Sequence, residues 1–270
     1  MGAGIAHALL LAGADVTLVE RDDDAAAAAH GRIGRALQVS AGRGQIDDAD
    51  RVLARMQLAT SAGSLAATDL VIEAVPEDLE LKLQTLRRIE ANVAADTVIA
   101  TNTSSISLDT LTDALQEPHR FLGLHFFNPV PASKLIEVVT TEVTGPDLTE
   151  IATGWVEALG KTAVVVRNSP GFASSRLGVA LGLEAIRMVQ EGVAAPQDID
   201  AAMTLGYGHP TGPLRLTDLV GIDVRLGIAR YLEAELGPRF SPPQLMVDMV
   251  ERGELGRKTG RGFYPWADET

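Results

Sequence analysis

The residues "MGAGIAHALLLAGADVTLVE" (Met1–Glu20) decide how the rest of the chain is read. Two glycines, Gly2 and Gly4, open an apolar helical run, and a short strand follows that ends in an acid, Glu20. A helix that starts this way offers unpaired backbone N–H groups to an anion. An acid at the end of the next strand can accept hydrogen bonds from the two hydroxyls of a ribose. Together these features follow the order in which a dinucleotide-binding unit continues beyond its phosphate turn. In the usual layout a strand and a G-x-G-x-x-G loop come first, and here Met1 stands where the middle of that loop would be.

Alternation of strands and helices continues outward from this stretch. Val16–Val19 reads as a strand and Asp24–Ala41 as a helix. "DLVIEAV" (69–75) reads as a buried strand, and "EDLELKLQTLRRIEANV" (77–93) as a helix with Leu79, Leu83, Leu86 and Ile89 on one face. "TVIATNT", "RFLGLHFFNP", "KLIEVV" and "KTAVVVRN" supply further strands. This pattern predicts an α/β fold with a mostly parallel, Rossmann-type sheet. From Pro170 onward the strands stop and helical segments take over, with Pro near their starts and Gly near their ends. The boundary is expected at Asn168–Gly171, giving an NAD-binding domain over 1–168 and a helical domain over 169–270.

Composition sets limits on function. The chain has 270 residues, 46% hydrophobic and 22% charged, as in a globular protein with sizeable cores. No apolar run reaches the roughly 18 residues of a membrane span, and no basic region precedes an apolar core as in a signal peptide. A cytoplasmic protein without membrane partners is expected. The absence of cysteine removes disulfides, thiolate catalysis and Cys-based zinc sites. A formal charge of −13 argues against nucleic-acid binding but leaves room for a small anionic ligand in a local basic pocket.

The chemistry concentrates in "LHFFNPVPASKLIEVV" (124–139). His125 lies near the end of one strand and Glu137 twelve residues on in the next, so the two side chains can meet across neighbouring strands. A carboxylate fixes the imidazole tautomer and stabilises the imidazolium, which makes a general base near neutral pH. The competing reading is a core histidine beside a surface glutamate. The hydroxyl- and amide-rich turn "TNTSS" (101–105) follows a strand at the sheet edge where open α/β sheets bind ligands. His7, His30, His119 and His209 have no ligand-like spacing, so no metal is expected.

The stretches "VIEAVPEDLELK", "ATNTSSISL", "GLHFFNPVPASKLIEVV", "NSPGF", "EGVAAPQDIDAAMTLGYGHPTGPLRLTDLVGID" and "GRKTGRGFY" occur in this order. Together they resemble the L-3-hydroxyacyl-CoA dehydrogenase family over essentially the whole chain. The resemblance implies NAD-linked oxidation of the 3-hydroxyl of an acyl-CoA thioester, or the reverse reduction, by a homodimer joined through its helical domain. It also implies roles for individual residues. His125 corresponds to the catalytic base and Glu137 to its orienting partner. Ser104 corresponds to a hydroxyl that bonds the reacting oxygen or the thioester, its alternative being a helix cap for the segment that follows. Asn128 and Asn102 correspond to amides near nicotinamide and substrate, and Glu77 and Lys82 to positions lining the cofactor side. The alternative for Lys82 is a solvated helix charge. Gly2 and Glu20 take the phosphate-side and ribose-side positions, and the acid at Glu20 favours NAD over NADP by repelling a 2′-phosphate.

Two departures from the family pattern stand out. "GFASSR" places Ser175 where the family often has an asparagine, so a substrate-side amide contact must be lost, bridged by water or replaced. Moreover, Met1-Gly2-Ala3-Gly4-Ile5-Ala6 matches the pattern G-x-G-x-M-G-x-G-I-A from its internal methionine onward. The expectation is that an apolar central strand and a Gly-x-Gly lie upstream, and that without them two strands lack backbone partners and NAD binding is weakened. Two alternatives remain at this stage: a same-fold dehydrogenase of a dicarboxylic acyl-CoA, carnitine-like or sugar-acid substrate, and a non-catalytic dimeric module.

Overall fold

The computed structural model describes residues 1–266, and the chain separates into two compact units, Met1–Asn168 and Ser169–Thr270. The first unit runs α1 (Gly2–Leu11), β1 (Val16–Val19), α2 (Asp23–Gly42), α3 (Ala49–Leu53), β2 (Met56–Ala59), β3 (Leu70–Glu73) and α4 (Leu79–Glu90). It continues with β4 (Val98–Thr101), α5 (Leu108–Thr112), β5 (Phe121–Phe126), β6 (Leu135–Thr140), α6 (Pro146–Ala158) and β7 (Thr162–Arg167). The second unit contains α7 (Ser174–Gln190), α8 (Pro196–Gly206), α9 (Pro213–Val220), α10 (Ile222–Leu236) and α11 (Gln244–Glu251).

Strand pairing gives a two-stranded parallel sheet, β1-β2, and a five-stranded sheet in the order β3-β4-β5-β6-β7. All pairs in the larger sheet are parallel except β5 with β6. Only the short 127–134 connection joins those two strands, too little chain for the crossover that a parallel pair needs. Among the described residues no ladder joins β1 to β3, so each has one edge without a strand partner. Helix α1 serves both sheets. Its Ile5 and Ala8 join the core of Ala100, Leu122, Leu124 and Ile136, while Ala6 and Leu10 pack with Ile33, Leu37 and Met56.

Local signals explain the helix starts. Asp22 caps α2 by accepting from the Ala25 N–H at 2.7 Å, and Asp78 caps α4 by accepting from Leu81 at 2.8 Å. Arg87 and Arg88 stand at the opposite end of α4, where cations suit the helix dipole.

Three features differ from the sequence reading. The buried stripe of α4 is Lys82, Leu86 and Ile89, whereas Leu79 is exposed. The helical period of 3.6 permits this stripe because the charge on Lys82 is paired. Strand β2 went unread since "MQLA" is short, carries a glutamine and leaves Gln57 and Leu58 exposed. The sequence "GPLRLTDLVGIDVRLGIARYLEAEL" (212–236) reads as a single helical segment but is two helices broken at Gly221, whose φ of 106° belongs to glycine.

The second unit packs around Leu183, Ile186, Leu214, Ile222, Leu226 and Leu232. Among the described residues no helix is long and apolar enough to cross a membrane.

Candidate active site

The antiparallel register of β5 and β6 sets His125 directly opposite Glu137. Directly opposed residues share one face of the sheet, so the imidazole Nδ1 lies 2.8 Å from Glu137 Oε2. Both side chains are buried, Glu137 completely. With a carboxylate at Nδ1, that nitrogen carries the proton of the neutral ring and the basic lone pair resides on Nε2. The Phe127 ring packs against the imidazole, with centroids 4.4 Å apart. The alternative of a surface glutamate is therefore wrong: Glu137 is fully buried on β6 and pairs with the histidine.

The loop after β5 is pinned from the far side. Lys161 donates to the Val130 carbonyl at 2.8 Å and to the Ser133 carbonyl, and burial lowers its pKa below the ordinary lysine value. Asn128, exposed at the start of that loop, precedes a cis proline, Pro129.

A second cluster forms where β3 and β4 end. Both strands are parallel, so their following turns emerge at the same sheet edge. Glu77, in the turn after β3, accepts with Oε1 from the Thr103 hydroxyl (2.5 Å), the Ser104 N–H (3.1 Å), the Ser105 N–H (3.0 Å) and the Ser105 hydroxyl (2.9 Å). Burial pushes the Glu77 carboxyl up, but the Thr103 hydroxyl, the Lys82 charge and the Ser105 and Ser104 donors outweigh it and hold the group below its ordinary value. Lys82 is buried, with Nζ 3.3 Å from Glu77 Oε2 and 2.9 Å from Glu73 Oε1. Its reading as a solvated helix charge fails for that reason. Asn102 accepts from the Phe126 N–H at 2.8 Å, which ties this turn to the strand that carries His125.

Ser104 does not cap the next helix. Ser107 stands at the N-cap of α5 without a side-chain cap bond, and the Leu108 N–H donates instead to Asn168 Oδ1 at 3.2 Å. Gly2 begins α1, whose first turn has neither an acidic residue nor a side-chain cap. A Cβ on Gly2 would touch Ala74 at 3.8 Å, and one on Gly4 would press on Val130 at 3.0 Å. Glu20 directly follows β1 and is half-buried. Ser175 sits in the first turn of α7, in the second unit. The sequence singles out the 101–105 turn as a whole but not the separate parts of Thr101, Thr103 and Ser105, and it gives Glu73 and Lys161 no role. The signal for Glu73 was an acid ending an otherwise apolar strand nine residues before a lysine.

A mostly parallel sheet whose first helix opens on uncapped glycines, with a buried His–Glu pair on its antiparallel strands, fits an α/β enzyme of the dehydrogenase type. Residues 1–169 match the family description "3-hydroxyacyl-CoA dehydrogenase, NAD binding domain", and residues 171–266 match "3-hydroxyacyl-CoA dehydrogenase, C-terminal domain". The chain belongs to the 3-hydroxyacyl-CoA dehydrogenase family, whose members are oxidoreductases. It is 42% identical to a 3-hydroxybutyryl-CoA dehydrogenase of Mycobacterium tuberculosis, covering 98% of this chain and 95% of the relative. It is 36% identical to the mitochondrial hydroxyacyl-coenzyme A dehydrogenase of Homo sapiens, covering 98% and 88%. Among solved structures, the (S)-3-hydroxybutyryl-CoA dehydrogenase of Ralstonia eutropha superposes with a TM-score of 0.93 at 38% identity, covering 98% of this chain and 95% of that one.

Proposed function

We propose that the protein interconverts a short-chain (S)-3-hydroxyacyl-CoA and its 3-ketoacyl-CoA with NAD as the redox partner. The observation that carries this reading is the buried His125–Glu137 pair. In the oxidative direction His125 Nε2 takes the proton from the 3-hydroxyl while the C3–H bond delivers its electron pair as hydride. Glu137 holds the ring in the basic tautomer and stabilises the imidazolium that forms. In reduction the same nitrogen returns the proton to the developing alkoxide. The hydroxyl of Ser104 and the amides of Asn128 and Asn102 are assigned to the substrate carbonyls and the nicotinamide side, and Ser175 to the substrate side.

The residues at the sheet edge fit a dinucleotide. The N-terminus of α1 has no acid or side-chain cap to compete with a pyrophosphate, and Glu20 makes no ion pair or side-chain hydrogen bond among the described residues. Gly2 is assigned to the phosphates, Glu20 to the adenosine ribose, and Glu77, Lys82 and Asn102 to the nicotinamide side. NAD, when bound, supplies the hydride acceptor. The acid at Glu20 favours NAD over NADP.

The relatives named for 3-hydroxybutyryl-CoA support a short acyl chain. The first unit is assigned to the cofactor and the helical unit to substrate and subunit contact. Leu177, Leu205, Tyr207 and Val224 are exposed apolar side chains of that unit, which supports a homodimer formed through it.

The test is a substrate panel. Acetoacetyl-CoA, longer 3-ketoacyl-CoAs and free hydroxy or keto acids are assayed with NADH and with NADPH. The proposal predicts the highest kcat/KM for acetoacetyl-CoA with NADH. Preference for a free acid, or for NADPH, would overturn it.

A further inference from the structure

Strand β3 ends on a carboxylate that a buried apolar strand has no reason to carry. Glu73 is 2% exposed, and burying an unpaired carboxylate would cost several kcal/mol. Its oxygens are fully engaged. Lys82 Nζ donates to both, at 2.9 and 3.0 Å, the Val75 N–H donates to Oε1 at 2.6 Å, and the Thr101 hydroxyl donates to Oε2 at 2.7 Å. Glu73 thus joins β3, the first residues of the turn after it, β4 and α4 at one point.

Lys82 is also the only cation in ion-pair distance of Glu77 among the described residues, so two carboxylates share one ammonium. The division is unequal. Glu73 holds Lys82 in a two-oxygen grip, while Glu77 meets it with Oε2 at 3.3 Å and keeps Oε1 for the four donors of Thr103, Ser104 and Ser105. Removing the charge of Glu73 leaves Glu77 as the sole anion for a buried ammonium. The Coulomb attraction in that low-dielectric setting then draws Glu77 onto Lys82 and away from the turn. The donors at 103–105 lose their common acceptor, and Ser104 loses its place.

We propose that Glu73 is a positioning residue of the dehydrogenase site, which acts by holding Lys82 so that Glu77 remains the acceptor that shapes the Ser104 turn. This rests on the function proposed above. It adds that the Ser104 hydroxyl is placed by a carboxylate two side chains removed from the substrate.

The experiment is a double-mutant cycle on the full chain with Glu73→Gln, Glu77→Gln and the pair. It reads kcat and KM for acetoacetyl-CoA reduction, the NADH dissociation constant by fluorescence, and the thermal midpoint. Glu73→Gln should lower kcat/KM by about tenfold, the scale of a small misplacement of a reacting group. The same change made in the Glu77→Gln background should matter by less than about twofold, because its route through Glu77 is already gone. A merely structural ion pair gives a lower thermal midpoint with unchanged kinetics, or the same factor in both backgrounds, and either outcome overturns the proposal. If Glu73→Gln does not fold, Thr101→Val removes one donor to Glu73 with little change of volume, and also the acceptor of the Thr103 N–H at 3.2 Å, a direct loss that Glu77→Gln does not cancel and that would show as an equal factor in both backgrounds. Beyond that shared factor it should reproduce the kinetic loss at about two- to fivefold, again only when Glu77 is intact. Absence of acetoacetyl-CoA reduction by the unaltered chain would count against the proposed function instead. The cycle is then read in the NADH dissociation constant, which Glu73→Gln should raise severalfold and only when Glu77 is present. An unchanged constant there overturns the positioning role.

Discussion

Glu77 in the first unit and Asp218 in the second organise loops in the same way but under opposite electrostatics. Glu77 gathers two N–H and two O–H donors from residues 103–105. Asp218 gathers the N–H groups of Phe263 (3.0 Å) and Tyr264 (2.9 Å) and the indole N–H of Trp266 (2.8 Å), which fastens the "GRKTGRGFY" segment to α9. Lys82 stands beside Glu77, and its carboxyl lies below the ordinary value. Among the described residues no lysine or arginine is ion-paired with Asp218. Burial, with the nearby Asp200 charge adding to it, lifts that carboxyl above its ordinary value despite the three donors. Donors alone hold a buried acid in place. A neighbouring cation adds to them and holds the Glu77 carboxyl below its ordinary value, and the turn assigned to substrate is the one that has the cation.

The largest expected effect comes from removing that cation. Lys82→Met leaves Glu73 buried without a counter-charge and should cost about 3–5 kcal/mol of unfolding free energy in urea titration. A loss below about 1 kcal/mol would mean that water, not Lys82, satisfies Glu73. Next is Asp218→Asn, which keeps one acceptor but turns an NH2 toward donors, at a cost of about 1–3 kcal/mol in the same measurement. An unchanged midpoint would show that the segment is held by its aromatic contacts, such as Arg215 over Trp266 at 4.5 Å.

The finest effect is the pH dependence. Glu77 is depressed below 4.5, so its contribution to stability is present above that value and is lost as pH falls through the folded-state pKa. Asp218 is raised above 3.8, so its contribution is complete below that value and is lost as pH rises through the folded-state pKa. On acidification the stability gap between the natural chain and Glu77→Gln should narrow, while the gap to Asp218→Asn should widen. Parallel slopes in thermal melts would erase the distinction between the two loops.

Much of this was legible in the sequence, and the exceptions share a cause. Strands β3, β4, β6 and β7 announce themselves as β-branched runs and β5 as an apolar run with two phenylalanines, and the twelve-residue interval from His125 to Glu137 foretells their meeting because a short connection makes those two strands an antiparallel pair. Hydrophobic periodicity failed at α4, where it chose Leu79 for the buried face and missed Lys82. A lysine joins a core only when a carboxylate elsewhere in the chain meets it, and spacing does not record that. Lys161 escaped notice for the same reason, since its partners are carbonyls of residues 130 and 133, supplied by a loop about 30 residues earlier. Strand β2 was lost because pairing with β1, rather than its own composition, makes it a strand.

The central claim is that His125, held by Glu137, moves the proton of the 3-hydroxyl. The direct measurement is steady-state reduction of acetoacetyl-CoA by NADH with the natural chain and with His125→Gln, alongside NADH titration and circular dichroism of both. The account predicts an intact fold, a nearly unchanged NADH dissociation constant, and turnover lowered by about a hundredfold or more. Turnover equal to that of the natural chain, measured with both proteins folded, would contradict it.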